Sequence, residues 1–288
     1  MKAKEAAVRY EVRPLSDVLG AEVSGLDLRQ PLEKETVDEL LDAFYRYQVL
    51  VFRGQSLAIP EQIRACKQFG EVEPHPLTEN TCEHPEITIM SNVTDDGKPV
   101  GYSGPPFLLW HSDLCYMERP AKMTFLYAHT VPAKGGETLF ADMFKAYDSL
   151  DPALKQKLHG RKAVFGSGKK LMERCRKKGY DLQIDPRDTH PDVLHPVFRT
   201  HPITRKLAIY VNWTHTDSIE GLSPRESDAI LEKIYEHSTS PQYVHSHSYR
   251  QGDLIVWDNA STLHTPTVTE PQYARTMHRM VLRGEKPY

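Results

Sequence analysis

Thiol chemistry is nearly absent from this chain. Its 4 cysteines, at positions 66, 82, 115 and 175, are scattered with no C-x-x-C pair, which excludes a disulfide framework and a thiolate zinc site. Such usage fits a reducing compartment, and the expected location is cytoplasmic. Long apolar runs are missing too. No stretch approaches the roughly 18 apolar residues of a membrane span. The N-terminus, MKAKEAAVRYEVRPLSDVLG, lacks the continuous apolar core of a secretory signal, so no membrane partner is expected. Charge of one sign is also lacking. A formal net charge of -3 leaves no polyanion-binding footprint, and no nucleic-acid partner is expected. The local basic run Lys169, Lys170, Arg174, Arg176, Lys177 and Lys178 reads as a solvated helix or flexible loop. No internal repeat or low-complexity tract is visible.

What is present is an ordinary globular composition. Hydrophobic residues at 39% and charged residues at 26% suffice to bury a sizeable core, and no linker divides the chain, so residues 1–288 read as a single domain. In ETVDELLDAFYRY, Val37, Leu40, Leu41 and Phe44 recur at helical spacing, with Thr36 and Glu39 in capping-box positions. A second amphipathic helix begins at SPRES. Ser223 is its N-cap, Pro224 its first residue and Glu226 the reaching-back acid, with Ile230, Leu231 and Ile234 as the stripe. Strands are expected at 48–54, 123–131, 207–212, 253–258 and 275–284. Many strands and few helices suggest a sheet sandwich or barrel. The polar stretch 167–192 reads as a loop or lid.

Chemistry starts at WHSDL. In an extended chain, residues i and i+2 face the same side, so His111 and Asp113 offer a nitrogen and an oxygen to one point. Two ligands hold a divalent ion poorly, and oxygen chemistry favours a second histidine as the third. His264, in DLIVWDNASTLHTPT, follows a strongly apolar strand and would lie beside the His111 strand in a rolled sheet. His245 and His247, in YVHSHSY, form a rival pair without an adjacent carboxylate. In RTMHRMVLRG, alternation puts Arg275, Met277 and Arg279 on one face and Thr276, His278 and Met280 on the other. If that face lines a cavity, two guanidinium forks there call for two anionic ligands.

These motifs, with LGAEVSGLDLRQPL, YQVLVFRGQ, FGEVEPHP, GGETLFADM and HPVFRTHPITRKLAIYVN in the same order, resemble a known family. It is the iron(II)- and 2-oxoglutarate-dependent dioxygenases related to taurine dioxygenase and 2,4-dichlorophenoxyacetate dioxygenase. The openings VLGAEVSGLDLRQPL and LLDAFYRYQVLVF look nearest to the aryloxyalkanoate-degrading branch. The resemblance implies a mainly β protein with flanking helices on a double-stranded β-helix core, the jelly-roll or cupin-like fold. It implies His111, Asp113 and His264 as the iron ligands, and Thr138 and Arg275 as the pair holding the distal carboxylate of 2-oxoglutarate. Gly135 and Gly136 form the turn before Thr138.

By the same resemblance, Arg279 and His75 contact the prime substrate, and Trp257 and Asn259 support the metal ligands from behind. Phe107, Leu108 and Leu109 stand where taurine dioxygenase carries a polar asparagine, so an ammonium-bearing substrate is disfavoured, and together with Tyr116 they suit an aromatic or alkyl body. Fe(II), 2-oxoglutarate and O2 are the expected cofactor and co-substrates. The expected reaction is hydroxylation of a small acidic organic molecule, an aryloxyalkanoate-like carboxylate or a sulfonate, with cleavage where the hydroxylated carbon bears a heteroatom. Desaturating or alkylsulfate-cleaving relatives, a non-catalytic 2-oxoglutarate or metal sensor and a zinc hydrolase are the rival readings. The family likeness suggests a homodimer or homotetramer.

Overall fold

Strands buried on both faces lose the polar alternation of a half-exposed sheet and read as unbroken apolar runs, as VLVF (49–52) and LIVWD (254–258) do. They form the centre of a mainly β architecture. The computed structural model describes residues 10–74, 83–96, 98–102, 108–182 and 190–288. In chain order the first strands are β1 (Glu11–Pro14), β2 (Ala21–Ser24), β3 (Val49–Phe52), β4 (Val72–Glu73), β5 (Thr88–Ser91), β6 (Thr94–Asp95), β7 (Lys98–Pro99) and β8 (Ala121–Thr130). Then come β9 (Thr138–Asp142), β10 (Lys162–Phe165), β11 (Val193–Pro196), β12 (Phe198–Thr200), β13 (Leu207–Ile209) and β14 (Thr216–Ile219). The last are β15 (Val244–His247), β16 (Leu254–Asp258), β17 (Thr262–Pro266) and β18 (Thr276–Arg283). The helices are α1 (Lys34–Tyr47), α2 (Ile59–Lys67), α3 (Met143–Asp148), α4 (Pro152–Leu158), α5 (Lys169–Lys177) and α6 (Pro224–Ser238).

The main sheet runs β1-β2-β3-β16-β8-β18-β4, with β5 also on β18; a smaller sheet, β15-β9-β17, faces it. Period two decides which side chains go where. Leu50, Phe52, Met123, Phe125, Leu254, Val256, Met280 and Leu282 point outward under α1 and α2. Their neighbours Val49, Val51, Leu126, Ala128, Ile255, Trp257 and Met277 point inward to meet Phe140 of β9. Each such buried side chain contributes about 1.5–3 kcal/mol. The two facing sheets are the jelly-roll arrangement, with no closed barrel among the described residues. A third apolar cluster joins α3 and α6 to β10, β12, β13 and β14.

Two local expectations are corrected. The first helix begins at Lys34 with Glu33 as N-cap and no side-chain cap, so Thr36 lies inside the first turn. Leu32 and Val37, the residues at N′ and N4, both pack on the outer core, and this apolar staple sets the start. In α6, Ser223 Oγ does accept from Glu226 N at 3.4 Å, but the Glu226 carboxylate takes Lys157 Nζ at 2.6 Å instead of reaching back. Within 167–192, residues 169–177 are the helix α5. Leu171 and Cys175 bury at i, i+4 spacing, and Arg174 lies 5.7 Å from both the Trp213 and Tyr235 rings. Residues 183–189 of that stretch lie outside the described residues. No helix among the described residues is long and apolar enough to cross a membrane.

Candidate metal centre and active site

The site is built on a single strand contact. His111 and His264 form an isolated antiparallel bridge in which each N–H donates to the other's carbonyl, at 3.0 and 2.9 Å. Reciprocal bonds make the two residues directly opposite neighbours, so their rings lie on one face with centroids 4.2 Å apart. Asp113 stands two residues on, brought to the same point by the turn that follows the bridge and not by an extended chain. His111 Nε2 lies 3.9 Å from Asp113 Oδ1 and His264 Nε2 lies 3.6 Å from Oδ2. Ligand atoms of the three residues fall within 4.8 Å of one another, the one such cluster among the described residues. The rival pair does not converge on a third ligand. His247 is buried edge-on against Tyr249, and its Nε2 is 3.9 Å from Asp253.

The protonation states suit a divalent metal. Burial pushes His264 down to about 3, with His111 and Arg279 adding to the effect, so its imidazole is neutral at pH 7. Burial would raise the Asp113 carboxyl, but His264, Arg279 and His111 together with the Thr124 hydroxyl outweigh it and hold the group ionised. The Leu109 carbonyl accepts from His111 Nδ1 at 2.6 Å, which fixes the tautomer that leaves Nε2 free as a ligand. Two imidazoles and one carboxylate, with no fourth ligand in the cluster among the described residues, fit the open, one-sided coordination of non-haem iron(II). His264 Nδ1 is buried with no hydrogen-bond partner among the described residues.

Behind the carboxylate, Asp113 N donates to Asn259 Oδ1 at 3.0 Å and Thr124 Oγ donates to Asp113 Oδ2 at 2.7 Å. Trp257 lies 4.7 Å from the His264 ring and 5.5 Å from Phe140, walling the metal cluster from the core. Asp258 has a structural task, accepting from His201 Nε2 at 2.9 Å and from Ala260 N at 2.9 Å.

A second polar group lies at the mouth of β9. Thr138 Oγ1 and Tyr249 OH are 2.8 Å apart, and the Arg275 guanidinium sits 5.8 Å over the Tyr249 ring, with Nε donating to Gly136 O at 3.2 Å. Burial pushes Tyr249 up to about 12, so its hydroxyl stays protonated. Gly135 and Gly136 hold φ near +75°, and a Cβ on Gly136 would come within 3.0 Å of Arg275 Cδ. Nearer the metal ligands, Arg279 Nη1 lies 3.2 Å from Asp113 Oδ1, and its Nε is buried with no hydrogen-bond partner among the described residues. The alternation expected of β18 holds, since His278 turns away to Gln62 at 3.0 Å.

Leu109 is half-buried beside the metal cluster, its N–H bonded to Thr265 Oγ1 at 2.8 Å, and Leu108 is exposed. Tyr116 stacks 5.6 Å from His190 and 4.8 Å from His215. His75 and Phe107 lie outside the described residues. Three residues escaped the sequence reading. Tyr249 and Thr124 carry no motif of their own, and His215, in NWTHTD, sits in a polar loop. Burial pushes His215 down to about 3, and its ring is 6.2 Å from that of His111.

Residues 11–281 match the family described as taurine catabolism dioxygenase TauD, TfdA family. The chain is similar to pentalenolactone F synthase of Streptomyces arenae, at 32% identity over 96% of each chain. It is also similar to the alpha-ketoglutarate-dependent 2,4-dichlorophenoxyacetate dioxygenase of Cupriavidus pinatubonensis, at 32% identity over 87% of this chain and 90% of that one. Among solved structures, that of AAD-2 in complex with Mn(II) and N-oxalylglycine superposes with a TM-score of 0.81 at 30% identity, covering 97% of this chain and 99% of the other.

Proposed function

Because the chain belongs to the TauD/TfdA family of dioxygenases, we propose that it is an Fe(II)- and 2-oxoglutarate-dependent enzyme that hydroxylates a small organic acid. The observation that carries this reading is the convergence of His111, Asp113 and His264, with Arg275 and Thr138 in a second polar group nearby. When bound, Fe(II) with O2 and 2-oxoglutarate supplies the oxidising chemistry, in which 2-oxoglutarate becomes succinate and CO2 while one C–H bond of the prime substrate becomes C–OH.

The protein's own residues bind and orient. His111 Nε2, His264 Nε2 and the Asp113 carboxylate would hold the metal from one side. Arg275 and the Thr138 hydroxyl would grip the distal carboxylate of 2-oxoglutarate, with a charge-assisted fork on one side and a neutral donor on the other. Arg279, beside Asp113, would fix the acidic end of the prime substrate and thereby set which carbon is presented. Leu109, whose carbonyl accepts from His111, and Tyr116, whose ring lies 4.8 Å from that of His215, would supply apolar surface. That pairing favours a hydrophobic carboxylate of the aryloxyalkanoate kind, in line with the relative named for 2,4-dichlorophenoxyacetate. A sulfonate is the second reading, since Arg279 offers the same fork to either anion.

If the hydroxylated carbon bears oxygen, nitrogen or sulfur, the product collapses and that bond breaks. The relatives named above are named as enzymes, which favours turnover over a non-catalytic sensor. The same reading takes the chain as one catalytic domain working in the cytoplasm as a homodimer or homotetramer, with the segment around α5 as a cover.

The test is anaerobic addition of Fe(II) and then 2-oxoglutarate, followed in the visible region. The weak absorption of a 2-oxo acid chelated to Fe(II) is expected, absent from Asp113→Ala. No such absorption in folded, iron-replete protein would overturn the reading.

A further inference from the structure

Asp113 does not lie in a strand. It sits in a tight turn in which the next residue, Leu114, has φ 53°, a conformation unusual for a branched side chain. A metal ligand on such a turn needs an outside reference to hold its direction. The main sheet provides one, through three hydrogen bonds that begin and end on Asp113. Its N–H donates to Asn259 Oδ1 at 3.0 Å, Asn259 Nδ2 donates to Thr124 Oγ1 at 2.8 Å, and Thr124 Oγ donates to Asp113 Oδ2 at 2.7 Å.

The ring has only one polarity. A backbone N–H can only donate, so the Asn259 amide must turn its oxygen to Asp113 and its NH2 to Thr124. Thr124 Oγ must then accept from that NH2, which leaves its single proton for the Asp113 carboxylate. The carboxylate is therefore the acceptor at Oδ2, and the bond fixes the direction of that oxygen. Thr124 and Asn259 are fully buried. Thr124 is in register with Trp257 on β16, and Asn259 follows that strand directly, so both are fixed by the same rigid ladder. Ser112 Oγ adds a bond to Asn259 O at 2.8 Å, tying the residue between the two ligands to the same point.

We propose that Thr124 and Asn259 are positioning residues that lock the Asp113 carboxylate for metal binding, so that metal retention depends on the Thr124 hydroxyl. The inference rests on the metal-site reading above and goes beyond it. Both residues would act through Asp113, the metal ligand that they hold. The hydroxyl is set apart in physical terms, because valine would fill the same space between the buried Met123 and Phe125, and a buried hydroxyl is unfavourable unless it is bonded.

The experiment is calorimetric titration of Co(II) into metal-free protein, for the parent and for Thr124→Val, Thr124→Ser, Asn259→Asp and Asp113→Ala, beside the melting temperature of each metal-free protein. Thr124→Val keeps the shape and removes the donor, and its Co(II) affinity is expected to fall about 10–100-fold, the usual range for losing an outer-shell partner. Thr124→Ser restores the donor and should bind within about 3-fold of the parent, a factor well below that range. Asn259→Asp puts a second acceptor before the Thr124 proton and should weaken binding at nearly unchanged size. If Thr124→Val is poorly folded, the serine and aspartate variants carry the comparison.

Parent-like Co(II) affinity in Thr124→Val or Asn259→Asp overturns the proposal, as does a serine variant no better than the valine one. So does a loss of affinity that follows the metal-free melting temperature across the series. Co(II) binding that ignores Asp113→Ala contradicts the metal site itself, a separate failure.

Discussion

His111 and His264 exchange both of their backbone hydrogen bonds, so two residues 153 positions apart in sequence are held side by side by the main chain alone. Two nitrogen ligands thus share one short ladder contact, and only Asp113 depends on a turn for its place. Removing a ligand side chain leaves the ladder intact. His111→Ala and Asp113→Ala are therefore expected to abolish iron-dependent turnover while circular dichroism and cooperative melting persist. Full activity in either variant contradicts the metal assignment.

The two arginines of the last strand should separate kinetically. Arg275→Ala is expected to raise the KM for 2-oxoglutarate about 10–100-fold, the size of a lost charge-assisted bond of roughly 1.5–3 kcal/mol, with little change in the KM of the prime substrate. Arg279→Ala is expected to do the reverse. Steady-state titration of each ligand at saturating concentrations of the other reads the difference, and equal effects of both variants on both ligands would show that the roles are not divided.

Gly136 is constrained twice, by φ 76° and by the closeness of Pro132 and Arg275 to any Cβ placed there. Gly136→Ala should lower stability by about 1–2 kcal/mol, the cost of a side chain in the left-handed region. It should also raise the 2-oxoglutarate KM, because the added carbon pushes on Arg275. Urea denaturation and the same titration measure both effects; a change in stability with an unaltered KM would detach the turn from the binding group.

Acid sensitivity should include a contribution from the far side of β18. Burial and the neighbouring His129 push His278 down to about 4, and its ring is enclosed by Gln62 and Tyr127. The folded value lies below the unfolded one of about 6.5, so between them the unfolded chain binds the extra proton. Stability from this residue is complete above about pH 6.5 and is lost progressively as pH falls toward 4. His278→Gln should flatten the decline of melting temperature over that window. An unchanged slope would show that His278 is not among the groups responsible.

The strands of the main sheet were legible because burial on both faces makes their apolar runs dense, and residues 253–258 and 275–284 differ from β16 and β18 only at their ends. His264 was legible as a ligand candidate because it follows such a strand. Its direct pairing with His111 was an inference about sheet closure that no local pattern encodes. The start of α1 was misplaced, since the staple of Leu32 with Val37 depends on the core both residues meet, while Thr36 and Glu39 only imitate a cap in sequence. Helix α5 was legible only as one of two readings, a solvated helix or a loop, because its charges dominate and only Leu171 and Cys175 turn inward. Thr124, Tyr249 and His215 were not found because hydroxyls and lone rings acquire meaning only from what the fold brings against them.

The measurement closest to the central claim is succinate formation after oxygen is admitted to protein loaded with Fe(II) and 2-oxoglutarate, across aryloxyalkanoates, alkyl carboxylates and alkylsulfonates. The account predicts succinate that requires Fe(II), 2-oxoglutarate and O2, is stimulated by an acidic substrate with an apolar body, and disappears in Asp113→Ala. Absence of succinate in protein that demonstrably holds both Fe(II) and 2-oxoglutarate, or succinate formation that survives loss of Asp113, would contradict it.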